Sequence, residues 1–97
     1  MKSLGDMTKK LIALKNELHE RYAVSKIEVF GSYVRGEQKE SSDLDVLVEF
    51  DRTVDLLELV SLEMFMSEQL GVKVDVVIKR SIRSELREII LSEAVPL

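Results

Sequence analysis

The eight residues from Asp43 to Phe50 constrain this chain more than any others. Leu44, Val46, Val48 and Phe50 alternate with Asp43, Asp45, Leu47 and Glu49, and a period of two puts the first set on one face of a strand and the second on the other. Such a segment needs an apolar layer on one side and accepts water, ions or polar partners on the other, so it belongs in a sheet with helices packed on one face. Two further segments alternate in the same way. In Ser25 to Phe30, Ile27 and Val29 oppose Lys26 and Glu28; in Val72 to Lys79, Val72, Val74, Val76 and Ile78 point inward.

The helices that would supply the apolar layer are legible as well. Leu4, Met7, Leu11, Leu14, Leu18 and Tyr22 recur at steps of three and four, which predicts an amphipathic first helix. Leu56, Leu59, Val60, Met64 and Leu70 predict a second over 53–70, capped by Asp51 or Thr53 and closed by a left-handed Gly71. Ser81 or Ser84 opens a last helix carrying Leu86, Ile89 and Ile90, and Pro96 ends regular structure. The order helix, strand, short helix or turn, strand, helix, strand, helix predicts an α/β (α+β) fold. Its small mixed sheet has three strands, or four if Val95 and Leu97 add an edge, and residues 1–97 form a single domain.

Composition narrows the function classes. A net charge of −4 disfavours a broad basic face, so no direct nucleic-acid partner is expected. No apolar run approaches the ~20 residues of a membrane span or the ~7–15 of a signal-peptide core, and a cytoplasmic protein without a membrane anchor is expected. With no cysteine and one histidine, disulfides, Cys-ligated zinc, a thiol nucleophile and a His-rich metal site are all excluded. Any metal must be held by oxygen, which points to a hard cation such as magnesium.

Asp43 and Asp45 leave the same side of their strand about 6–7 Å apart. Asp75 takes the corresponding side of the third strand, because Val74 and Val76 face the core. If the two strands are neighbours, three carboxylates converge and repel one another, and a divalent cation removes the conflict. Two magnesium ions held by such a triad can drive in-line phosphoryl or nucleotidyl transfer. Taken alone, an Asp-x-Asp pair is equally what a solvated, charged sheet face presents.

The segment ahead of the pair is Phe30, Gly31, Ser32, Tyr33, Val34, Arg35 and Gly36. Here a strand runs into a polar turn whose backbone N–H groups and hydroxyl can meet phosphate oxygens, with Gly31 allowing close approach. Arg35 adds a planar cation able to contact phosphate or to pair with Glu37 or Glu40. An ordinary strand-ending turn would use Gly31 and Ser32 in the same places.

Gly31 and Ser32, ten intervening residues, and then Asp43, Leu44 and Asp45 resemble the signature of the DNA polymerase β-like nucleotidyltransferase superfamily. Together with Gly36, Ser42 and the run from Val74 to Val77, the pattern resembles that of the minimal nucleotidyltransferases (MNT proteins), often paired with an all-helical HEPN protein. The resemblance implies that Ser32 meets the distal phosphates of ATP beside Gly31. It also implies that Asp43 and Asp45 ligate two magnesium ions, and that Asp75 is the third carboxylate and assists the incoming hydroxyl. It implies further that AMP passes from ATP to a tyrosine of a HEPN toxin, silencing the toxin as its antitoxin. A chain this short is expected to borrow its acceptor site from a partner.

Other features have plainer expectations. His19 is expected to be solvent-exposed, with no nucleophile or metal partner, and Lys79, Arg80, Arg83 and Arg87 to be solvated charge or, as the alternative, a place for an acidic partner or a nucleotide phosphate. Met64, Phe65 and Met66 suit core packing or a protein interface. The Leu59, Leu62 and Met66 stripe leaves open a non-catalytic module that neutralises its partner by capture, and a homo-oligomer is also possible. Transfer to a small molecule ranks lower, for want of structure to enclose one.

Overall fold

The computed structural model describes residues 3–97. Its elements run α1 (Leu4–Tyr22), β1 (Val24–Phe30), α2 (Ser32–Arg35), β2 (Leu44–Phe50), α3 (Leu56–Leu70), β3 (Val74–Ile78), a 3-10 turn (Lys79–Ser81), α4 (Ser84–Glu93) and β4 (Val95–Pro96). The expected order of elements stands, and the fourth strand is present. Among the described residues, no helix is long and apolar enough to cross a membrane.

The sheet has the strand order β3-β2-β1-β4 and is mixed. Hairpin partners β1 and β2 are antiparallel, as are β1 and β4, whereas β2 and β3 are parallel and α3 carries the chain between them. A parallel pair cannot be joined by a tight turn, so the helix between them follows from the pairing. Leu97 N–H extends the edge by donating to Ile27 C=O.

One face of the sheet meets α1 and α3. Met7, Leu11 and Leu18 from α1, Leu62, Met66 and Leu70 from α3, and Val29, Leu44, Val46 and Val48 from the strands are buried there in one cluster. Full burial of each such side chain is worth about 1.5–3 kcal/mol relative to exposure, which makes this layer the main source of stability. No α4 residue belongs to the cluster, so the last helix depends on other attachments. Leu47 departs from the simple alternation, since it points away from this layer and is nevertheless buried.

Helix ends are set by side chains. Ser3 caps α1 in a reciprocal arrangement with Asp6, and Asp55 does the same for α3 with Glu58. The expected caps Asp51 and Thr53 are therefore replaced by Asp55: only Asp55 has a glutamate three residues on that can return a hydrogen bond to its own N–H. Gly71 closes α3 with φ +70°, as the sequence predicts. Ser84 is the first residue of α4 rather than its cap, and the cap position, Arg83, offers no side-chain hydrogen bond.

Two sequence expectations change with this packing, while His19 is exposed as expected, its Nε2 lying 2.7 Å from Asp51 Oδ2. Lys79 is not free solvated charge, because its Nζ sits 3.5 Å from Glu28 and 3.7 Å from Glu49. In the Leu59, Leu62 and Met66 stripe, Leu62 and Met66 are core and Leu59 packs against them. The apolar side chains that α3 leaves in solvent are Leu56, Leu57, Val60 and Met64.

Candidate active site

The site forms where the end of β1 meets the starts of β2 and β3. Phe30, the last residue of β1, pairs in register with Asp45 of β2, and Asp45 pairs in turn with Asp75 of β3. Three strands thus bring the Gly31 turn and two carboxylates into one row. Asp43 lies just before β2, two residues from Asp45, so it sits beside the same row.

Gly31 turns the chain out of β1 with φ +82° and ψ −154°, a conformation that side chains rarely adopt. Space gives a second reason for glycine. A Cβ at this position would collide with Asp45 Oδ2 and crowd Asp45 Cγ and Cβ. The α-carbon of Gly31 therefore lies close beside the Asp45 carboxylate. Ser32 then opens the single turn of α2, which Gly36 closes in the left-handed region at φ +72° while Glu37 N–H donates to Ser32 C=O. The Ser32 hydroxyl has no hydrogen-bond partner among the described residues and is half-buried beside this turn.

The carboxylates differ in their surroundings. Asp43 Oδ2 is 3.7 Å from Lys73 Nζ, and both groups are substantially exposed. Asp75 is exposed on its strand face, but the backbone around it is fixed from the outer edge of β3. Val74 N–H donates to Ser67 Oγ at 2.9 Å and Val76 N–H to a Glu63 carboxylate oxygen at 2.8 Å. Two α3 side chains thus hold the residues on either side of Asp75 and satisfy donors that an edge strand would otherwise leave open. Asp45 is part-buried. Its burial, then the charges of Asp75 and Asp43, push its carboxyl up to about 6, against an opposing pull from Arg35 and a further push from Glu93.

Burial is the first cause of that upward push, and the neighbouring carboxylates add negative charge that only Arg35 opposes. An all-oxygen donor set around one strained carboxylate fits a hard divalent cation such as magnesium, and it fits no soft metal. Among the described residues, no three side chains are already gathered into a metal cage. Asp43, Asp45 and Asp75 share a face and an electrostatic field, Asp75 exposed and Asp43 and Asp45 part-buried.

Arg35, read from sequence as a contact for phosphate or for Glu37 or Glu40, reaches Glu37 and a residue the sequence reading missed. Its Nε donates to Glu37 at 2.7 Å, and its Nη1 donates to both oxygens of Glu93, at 3.0 and 2.9 Å. Glu93 Oε1 also accepts the N–H of Gly31. One signal in the sequence could have found it. Glu93 lies at helical spacing from Leu86 and Ile90, an acid on the apolar side of the last helix.

Residues 11–97 match the family model of the nucleotidyltransferase domain. Over 98% of its length and 96% of the relative's, the chain is 45% identical to the protein adenylyltransferase MntA of Thermococcus cleftensis. It superposes with a TM-score of 0.82 and 38% identity on a structure described as a minimal nucleotidyltransferase, covering 99% of this chain and 97% of that one. A toxin–antitoxin crystal structure with AMP-PNP gives a TM-score of 0.75 and 28% identity, covering 91% of this chain and 69% of the matched chain.

Proposed function

Because the chain belongs to the nucleotidyltransferase domain family, as one of its minimal members, we propose that it transfers AMP from ATP to a tyrosine hydroxyl of a HEPN toxin and so acts as the antitoxin. It is an enzyme of nucleotide transfer. The observation that carries the reading is the single row formed by the Gly31 turn, Asp45 and Asp75, in which the backbone of one motif rests on the carboxylate of the other.

The residues divide the work by position. Ser32 presents its hydroxyl to the distal phosphates, and Gly31 lets them approach the backbone. Asp43, Asp45 and Asp75 would hold magnesium, two ions when fully loaded, which supplies Lewis-acid stabilisation of the charge on the attacking and leaving oxygens. In the reaction the acceptor oxygen bonds to the α-phosphorus. The bond from that phosphorus to the bridging α,β-oxygen breaks, and pyrophosphate departs with the electron pair. Asp75, the most exposed of the three, faces the incoming acceptor and takes its proton.

The test uses ATP labelled at the α- or the γ-phosphate, with magnesium, this chain and its helical partner. Label on the partner from α-labelled ATP alone is the expected result. Label from γ-labelled ATP, or none from either, overturns the reading.

A second reading, neutralisation by stoichiometric capture, is favoured by the row of Leu56, Leu57, Val60 and Met64 that α3 exposes, an apolar surface suited to a helical toxin. Asp43→Asn separates the two readings. If the variant binds the toxin and still protects cells from it, capture is sufficient; if it binds without protecting, transfer is required.

A further inference from the structure

We propose that Glu93 is a positioning residue that latches the last helix onto the nucleotide-binding turn, holding Gly31 and Arg35 in place for ATP. The inference rests on the reading that this turn receives the phosphates.

Two donors make three hydrogen bonds to one carboxylate. Glu93 Oε1 accepts the Gly31 N–H, and both of its oxygens accept from Arg35 Nη1. Its side chain is only 18% exposed, whereas Arg35 is 49% exposed and Glu37, the other partner of Arg35, is 65% exposed. The buried end of this network is therefore the Glu93 end, where charge-assisted hydrogen bonds are strongest. Arg35 begins on the turn, at the end of α2, and Glu93 ends α4, so the pair bridges 58 residues of sequence.

The rest of α4 gives the latch its significance. The helix has no side-chain cap at its start, contributes nothing to the main core cluster, and leaves Leu86 and Ile89 in solvent. Among the described residues, a further polar tie is a 3.3 Å hydrogen bond from Arg87 to Lys79 C=O, toward the opposite end of the helix. At the site end, Glu93 supplies the attachment, immediately before the short β4 edge pairs with β1. Because the Gly31 N–H and the Arg35 guanidinium are both engaged by this carboxylate, Arg35 acts as a strut that shapes the turn. The phosphates are left the Ser32 hydroxyl and the outward side of the turn.

Binding of ATP with magnesium to the chain alone is measured by titration calorimetry for wild type, Glu93→Gln and Glu93→Ala, and the KM for ATP and kcat are measured for transfer to the partner. Circular dichroism confirms that each variant is folded. The latch is expected to make Glu93→Ala bind ATP at least ~10-fold more weakly, mainly through KM, with kcat changed by less than ~3-fold. Glu93→Gln should fall between, since its amide oxygen still accepts the Gly31 N–H. Arg35→Ala combined with Glu93→Ala should be no worse than Glu93→Ala alone. A variant set with lowered thermal stability but wild-type ATP affinity and KM means that Glu93 is merely structural and overturns the proposal, as does additivity of the two substitutions. Failure of the wild type to bind or transfer from ATP strikes the proposed function instead, and the latch with it.

Discussion

The α-carbon of Gly31 lies so close to the Asp45 carboxylate that a Cβ there would overlap Asp45 Oδ2. Two motifs ten residues apart in sequence thus meet in one volume. The relationship has consequences for both partners.

Gly31→Ala must place a side chain at φ +82° and against that carboxylate. The strain should cost about 1–3 kcal/mol of stability, seen as a lower midpoint in urea. Transfer should fall by two orders of magnitude or more, because Asp45 is pushed from its place in the row.

Asp45→Asn should separate stability from activity. Removing a carboxyl that burial and two neighbouring aspartates disfavour should stabilise the metal-free protein by about 1 kcal/mol near neutral pH while abolishing transfer. Urea melts in the presence of a chelator, run beside the transfer assay, check both halves.

The same carboxyl sets a pH dependence. Below its unfolded value of 3.8, Asp45 is protonated in both states; as pH rises through about 6 it must ionise where the fold disfavours charge, so its stabilising contribution is lost. Metal-free wild type should therefore lose stability relative to Asp45→Asn between about pH 4 and pH 7. Solvent screening of a part-exposed group limits the difference to about 1 kcal/mol. Parallel curves for the two proteins across this window would contradict the account.

Magnesium should reverse that loss. At about pH 7.5, millimolar magnesium should raise the thermal midpoint of wild type and leave Asp45→Asn unmoved, because a ligand that binds only the folded state stabilises it by mass action. Equal midpoints with and without the ion would argue against a metal at the three aspartates.

The edge of β3 offers a test away from the reacting groups. Ser67→Ala leaves the Val74 N–H without its 2.9 Å partner, next to Asp75. A loss of about 1–3 kcal/mol is expected by chemical denaturation, together with a smaller drop in transfer as Asp75 loosens.

Much of this arrangement is legible in the sequence because it depends on local period. The alternation from Leu44 to Phe50 places Asp45 on the open face, the equivalent pattern in Val74 and Val76 does so for Asp75, and the Gly31 and Gly71 turns stand where the chain must adopt positive φ. The short β4 edge, left open in the sequence, is present at Val95–Pro96 and takes in the proline read there as the end of regular structure. What the period cannot carry is a partner far along the chain. Glu93 meets Gly31 across 62 residues, and Glu63 and Ser67 reach β3 across a helix-to-strand turn; each reads in sequence as one more polar residue on a helix. The choice of Asp55 over Thr53 as the cap of α3 turns on the reciprocal bond from Glu58. Leu47 is buried on the face that its neighbours Asp45 and Glu49 share, which strict alternation does not foresee.

The most direct measurement is the intact mass of the purified HEPN partner after incubation with ATP, magnesium and this chain, with Asp43→Asn as the control. The account expects the wild type to add whole AMP groups to the partner, and expects Asp43→Asn to bind it without changing its mass. An unchanged mass with wild type, or the same increase with Asp43→Asn, would contradict it.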